Sequence, residues 1–283
     1  MQYALATRAP CFPSPVTELN KMIGIFDSGV GGMTVARAVE QLCPGFPLIY
    51  LGDLARTPYG SKSPAMITEY SHRNTEFLLR QGAKLIVIAC NSAASAASGF
   101  LRSHYRQAII DVIFPAVAKA ATVSQNGRIG VIGTRATINS GIYEQRLRET
   151  RPACRVYSQA CPLLVPLVEE GWMERRETKM IVKKYLHPLR DKQIDTLILG
   201  CTHYPLLKNI IAPRIGRRVH IIDSSVEVAL HLKQLLDDDA DLRADLYAPD
   251  TPSRFFVSDI PAPVHGLAAK IFGRTVLLEK TDV

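Results

Sequence analysis

Two stretches decide the fold: Leu85-Ile-Val-Ile-Ala-Cys-Asn-Ser92 and Leu197-Ile-Leu-Gly-Cys-Thr-His203. Each is a short apolar run bounded by polar residues, the pattern of a strand buried on both faces. Each run stops at a cysteine followed by Asn or Thr, which packing alone does not require. Two such thiols, about a hundred residues apart, suit a reaction that takes a proton from one side of a carbon and returns one on the other.

The same strand pattern extends outward from both stretches. In the first part strands are read at Met22–Phe26, Pro47–Leu51, Leu85–Ala89 and Ile109–Ile113. Helices are read over about 33–43 and from the Ser63-Pro64 start to Gly82. The pattern then restarts with strands at Arg128–Ile132, Arg155–Ser158, Thr196–Leu199 and Val219–Ile222. The helices between them fall near 138–150, 163–171 and 175–189, with a last helix over 226–236 and a late strand at Phe255–Val257. Strands alternating with amphipathic helices predict parallel sheets covered on both faces. The expected architecture is two doubly wound α/β domains with the site in the crevice between them. The expected division is an extension over 1–20, a first domain of 21–113 plus 225–283, and a second of 114–224. One strand-then-Cys unit in each half hints at an old duplication.

Composition narrows the function class. The chain has 283 residues, 47% of them hydrophobic, and a mean hydropathy of +0.06, as expected of a globular protein with a large core. No apolar run reaches the roughly 18 residues of a membrane span. The first twenty residues lack the apolar stretch of a secretory signal and contain Pro10, Pro13 and Pro15, so a poorly ordered extension and a cytoplasmic location are expected. Six cysteines, with no CxxC pair and no zinc spacing, read as reduced thiols and no metal site. The net charge of +8 reads as a scattered basic surface that suits a small dicarboxylate; nucleic acid is not the expected partner.

In open parallel sheets ligands sit at the carboxyl ends of strands. Those ends carry Asp27-Ser28 with the glycine-rich run Gly29–Thr34, then Gly52-Asp53 with Tyr59-Gly60 just beyond. Next come Cys90-Asn91-Ser92, Gly133-Thr134, Cys201-Thr202-His203 and Asp223-Ser224-Ser225. The glycine run misses both the dinucleotide fingerprint and the phosphate-binding loop. It reads instead as a tight turn aiming N–H groups at a small carboxylate. A thiol near a helix start and polar partners is expected to ionise near neutral pH and act as a base. His203 is placed to take or hold the proton of Cys201, and Asp27 to assist Cys90 or hold a substrate ammonium. No strand end offers a lysine to anchor a cofactor aldehyde.

These residues carry a resemblance. The runs Gly24–Val35, Gly52-Asp53 with Arg56–Gly60, Ala89–Ser92 and Gly200–Leu207 resemble those of the glutamate racemases, cofactor-independent members of the aspartate/glutamate racemase superfamily. The resemblance implies catalysis by Cys90 and Cys201, helped by Asp27, His203 and Glu169 of the Leu167-Val-Glu-Glu-Gly171 run. It implies substrate binding by Asp27, Ser28, Tyr59, Gly60, Asn91, Ser92, Thr134, Thr202 and His203. It further implies glutamate as substrate, no cofactor, a supply of D-glutamate for cell-wall peptidoglycan, and a homodimer. The N-terminal extension is similar to that of members activated by a cell-wall precursor. Aspartate is the alternative substrate. Two departures stand out: Ser92 where the family usually has Thr, and Ala94 where it has a hydroxyl residue.

Overall fold

The computed structural model describes residues 21–283, so the expected extension and Cys11 lie outside the described residues. The first half opens with β1 (Met22–Asp27), α1 (Met33–Leu42), β2 (Leu48–Gly52), α2 (Pro64–Arg80), β3 (Ala83–Ile88), α3 (Asn91–His104) and β4 (Ala108–Asp111). The second contains α4 (Ile113–Val123), β5 (Arg128–Gly133), α5 (Arg135–Asn139), α6 (Ile142–Thr150), β6 (Arg155–Ala160), α7 (Leu164–Glu169), α8 (Arg176–Asp191), β7 (Thr196–Gly200), α9 (Lys208–Ile215) and β8 (His220–Asp223). The chain then returns through α10 (Ser224–Asp238), α11 (Ala240–Leu246), β9 (Arg254–Val257), α12 (Val264–Phe272) and β10 (Leu278–Lys280).

Two parallel sheets result, ordered β10-β9-β2-β1-β3-β4 and β6-β5-β7-β8. Read from β1 and from β5, both run second, first, third, fourth. The chain therefore reverses its direction of winding beside β1 and β3 in one sheet, and beside β5 and β7 in the other. Crevices for ligands open at such points. Cys90 follows β3 and Cys201 follows β7, so the two thiols occupy equivalent places.

Burial on both faces explains the continuous apolar runs: every residue of β1, β2 and β7 is buried. Ser63 caps α2 by accepting from the Met66 amide, with Pro64 in the first turn. Several boundaries differ from expectation. β4 stops at Asp111, because its carboxylate accepts the amides of Ile113 and Phe114 at 2.9 and 3.1 Å and starts α4 there. The helical stretch near 138–150 breaks at Gly141, whose φ of +68° suits only a glycine without strain, giving α5 and α6. The helix read over 226–236 begins at Ser224 and is followed by α11 and α12. The late strand is β9, and β10 pairs beside it at the sheet edge.

Candidate active site

The carboxyl ends of both sheets face each other across one crevice. Register sets the heights. Asp27 ends β1, and the Ala89 amide donates to Phe26 O, which places Cys90 next to Asp27 and Ser28. Gly133 pairs with Gly200, so Thr134 and Cys201 stand side by side. Two glycines permit the halves to meet. A β-carbon on Gly31 would lie 2.4 Å from the His203 ring, and one on Gly60 would lie 2.5 Å from Thr134 Cβ.

Ser28, Tyr59, Gly60, Cys90, Asn91, Ser92, Thr134, Cys201, Thr202 and His203 line one small cavity of about 20 Å³ together with Pro58 and Val165. That is room for about one water. The polar groups from opposite halves are bonded to each other. Ser92 Oγ and Thr134 Oγ1 are 2.8 Å apart. Thr202 donates to Asp27 Oδ1 at 3.2 Å.

The surroundings of the two thiols differ. Cys90 donates to Ser28 Oγ at 3.5 Å. Burial, with the Asp27 charge added, pushes its pKa up to about 12, against the expectation of ionisation near neutrality. Both effects outweigh the amides at the start of α3. Asp27 is wholly buried, and burial raises its own pKa while His203 and the Gly29 amide, at 3.0 Å, counteract. Cys201 Sγ instead lies 3.9 Å from His203 Nδ1, while His203 Nε2 is 3.2 Å from Glu169 Oε1. Burial alone would lower the His203 pKa. The bonds to Cys201 and Glu169 prevail and raise it to about 10. Glu169 thus bears on the site through His203.

Some residues behave otherwise than the sequence suggests. The Gly29 amide goes to Asp27 and the Met33 amide to Val30 O, so these donors of the glycine-rich turn are spent inside the turn. Tyr59 donates to the buried Asp53 and accepts from Asn74 Nδ2 at 3.0 Å, leaving its ring and backbone to the cavity. Tyr143 was not singled out in the sequence; it reaches across from α6 and donates to Asn91 Oδ1 at 2.6 Å. Asn91 Nδ2 then faces Ser224 Oγ at 3.5 Å. Ser224 carried a signal, its place at a strand end. Tyr143 carried none, because only tertiary packing brings α6 over Asn91. Among the described residues no cluster of His, Cys, Asp or Glu has the geometry to hold a metal ion.

Comparison with known proteins identifies the family. The Asp/Glu/hydantoin racemase family matches residues 32–232. A glutamate racemase of Geobacter metallireducens is 43% identical over 242 residues, 86% of this chain and 89% of that one. The structure of Francisella tularensis glutamate racemase in complex with D-glutamate is 36% identical, with a TM-score of 0.85, covering 93% of this chain and 98% of that one. The Escherichia coli glutamate racemase in complex with L-glutamate and the activator UDP-MurNAc-Ala is 27% identical, with a TM-score of 0.75, covering 92% and 98%. The resemblance is to enzymes named for glutamate, and the aspartate alternative is set aside. The chain belongs to the Asp/Glu/hydantoin racemase family and, within that family, to the glutamate racemases, which are isomerases.

Proposed function

We propose that this enzyme interconverts L- and D-glutamate through Cys90 and Cys201, acting from opposite faces of the α-carbon. The observation that carries this reading is the pair of thiols at equivalent strand ends of two sheets, turned into one cavity. His203, its pKa raised to about 10, stands as the proton partner of Cys201, while Cys90 rests as the thiol. The Cys201 thiolate removes the α-proton and Cys90 delivers one to the other face. The carbon's charge is held briefly between the two transfers. Turnover leaves Cys90 as thiolate and Cys201 as thiol, and the opposite enantiomer reverses the sequence. Preorganised hydroxyls and amides in a dry crevice stabilise the developing charge. Asp27 and Ser28 take the ammonium side; Asn91, Ser92, Thr134 and Thr202, with Tyr59-Gly60 as wall, hold the carboxylates. Glu169 keeps His203 protonated. No cofactor enters this scheme.

The division into 21–113 with 225–283 and 114–224 is supported by each sheet lying within one part. A cytoplasmic homodimer supplying D-glutamate to peptidoglycan, with a cell-wall precursor as activator, is the setting in which we place the enzyme. No described helix is long and apolar enough to cross a membrane. The test is incubation with L-glutamate in D₂O without added cofactor. Loss of optical rotation with deuterium at the α-carbon is expected. Retained rotation and an undeuterated α-carbon, with and without the precursor, would refute the reading.

A further inference from the structure

A second cavity lies outside the catalytic one, and its chemistry is different. It has a volume of about 330 Å³ and is bordered by Ser61 and Lys62 before α2, Ser95 of α3, and Arg135, Asn139 and Ser140 around α5. One wall thus belongs to each half of the molecule. The close packing of Gly60 on Thr134 separates it from the thiols. Among the described residues no carboxylate lines it. Neither Lys62, which is half-buried, nor Arg135, which is exposed, makes an ion pair among the described residues. The lining hydroxyls and the Asn139 amide add neutral donors. The charge behind one wall is also one-sided: residues 114–224 carry eighteen lysines and arginines against nine carboxylates, and the rest of the chain sixteen against seventeen.

We propose that this cavity is a binding site for a small oxyanion, a carboxylate or a phosphate group, held between Lys62 of one half and Arg135 of the other. Two cations bordering one cavity, without counterions of their own, favour an anion between them. The volume matches that of small-ligand sites. Because the ligand touches both halves, it binds only while they are together, unlike a substrate that has to part them. Its chemistry is that of charge neutralisation, with no covalent step.

Calorimetric titration of inorganic phosphate and, separately, of racemic glutamate into the full-length enzyme tests this. Arg135→Ala and Lys62→Ala serve as variants. Saturable phosphate binding is expected in the wild type, weakened about tenfold or more in each variant, with racemisation within about twofold of wild type. A second glutamate equivalent per chain, lost in both variants, would identify the carboxylate as the source. A single glutamate equivalent in all three proteins would identify the phosphate. The proposal is overturned if the wild type binds neither phosphate nor a second glutamate. It is equally overturned if both substitutions leave phosphate binding unchanged, or if they abolish binding and racemisation together, since the cavity would then be part of the catalytic cleft.

Discussion

The two halves of the site share one topology and differ in what surrounds the thiol. In the first half, Cys90 sits beside a buried carboxylate and a hydroxyl, and its proton is held tightly. In the second, Cys201 sits beside an imidazole braced by Glu169, and that imidazole holds its own proton up to about pH 10. Chain folding supplies the symmetry of a two-sided reaction; the side chains that tertiary packing brings beside each thiol supply the difference between them. A two-base racemase needs one base and one acid at the start of every turnover, and which thiol serves as which reverses with the enantiomer.

The comparison fails outright if one thiol is dispensable. Replacing either Cys90 or Cys201 with Ala is expected to lower kcat/KM about a thousandfold or more in both directions. Steady-state polarimetry, with circular dichroism to verify folding, is the check; near wild-type turnover in either variant would remove the second base from the scheme.

A smaller effect tests the asymmetry itself. His203→Asn is expected to lower kcat/KM by about a hundredfold. Racemisation has an equilibrium constant of one, so kcat/KM falls equally in both directions. The difference between the halves appears in kcat and KM taken separately, with the larger change in kcat when Cys201 is the base. Identical changes from both enantiomers would show that the halves are functionally equal. Asp27→Asn acts on the other half: removing that charge is expected to lower the Cys90 pKa below about 12, seen as faster alkylation at alkaline pH.

The mildest test concerns pH. The folded His203 value of about 10 lies above the ordinary 6.5. Protonated His203 therefore contributes stability fully below pH 6.5 and loses it as pH rises through 10. Glu169→Gln removes one of the bonds that raise it. The alkaline limbs of kcat/KM and of thermal stability are both expected to move to lower pH, measured from pH 6 to 11. Unmoved limbs would mean that Glu169 does not set the protonation of His203.

Much of this was legible in the sequence because strands buried on both faces leave an unmistakable trace. Leu85–Ala89 and Thr196–Leu199 put both thiols at strand ends, and parallel winding did the rest. The elements that escaped have weaker traces. α3 is rich in Ala and Ser, whose small side chains leave few large apolar residues to mark a period. The edge strand β10 is three residues long and only its first is buried. The strand read to Ile113 stopped short because Asp111 captures the next amides, a local bond that hydropathy does not register. Within the site, residue types and strand-end positions were readable, but the orientation of a hydroxyl was not. Tyr59 turns its phenol to Asp53, and Tyr143 comes from a helix with no sequence mark of function.

The hydrogen bonds that join Ser92 to Thr134 and Thr202 to Asp27 bear on how the enzyme trades one hand of its substrate for the other. In the closed molecule these polar groups are already satisfied, so an arriving amino acid exchanges bonds rather than adding them, and the net gain per bond is small. Departure is the same exchange run backwards, and closing the empty cleft compensates for the contacts the ligand gives up. An enzyme with an equilibrium constant of one has to let go of either product as readily as it accepts either substrate. A cleft that is its own ligand keeps both hands loosely held and leaves the flow of material to the concentrations outside.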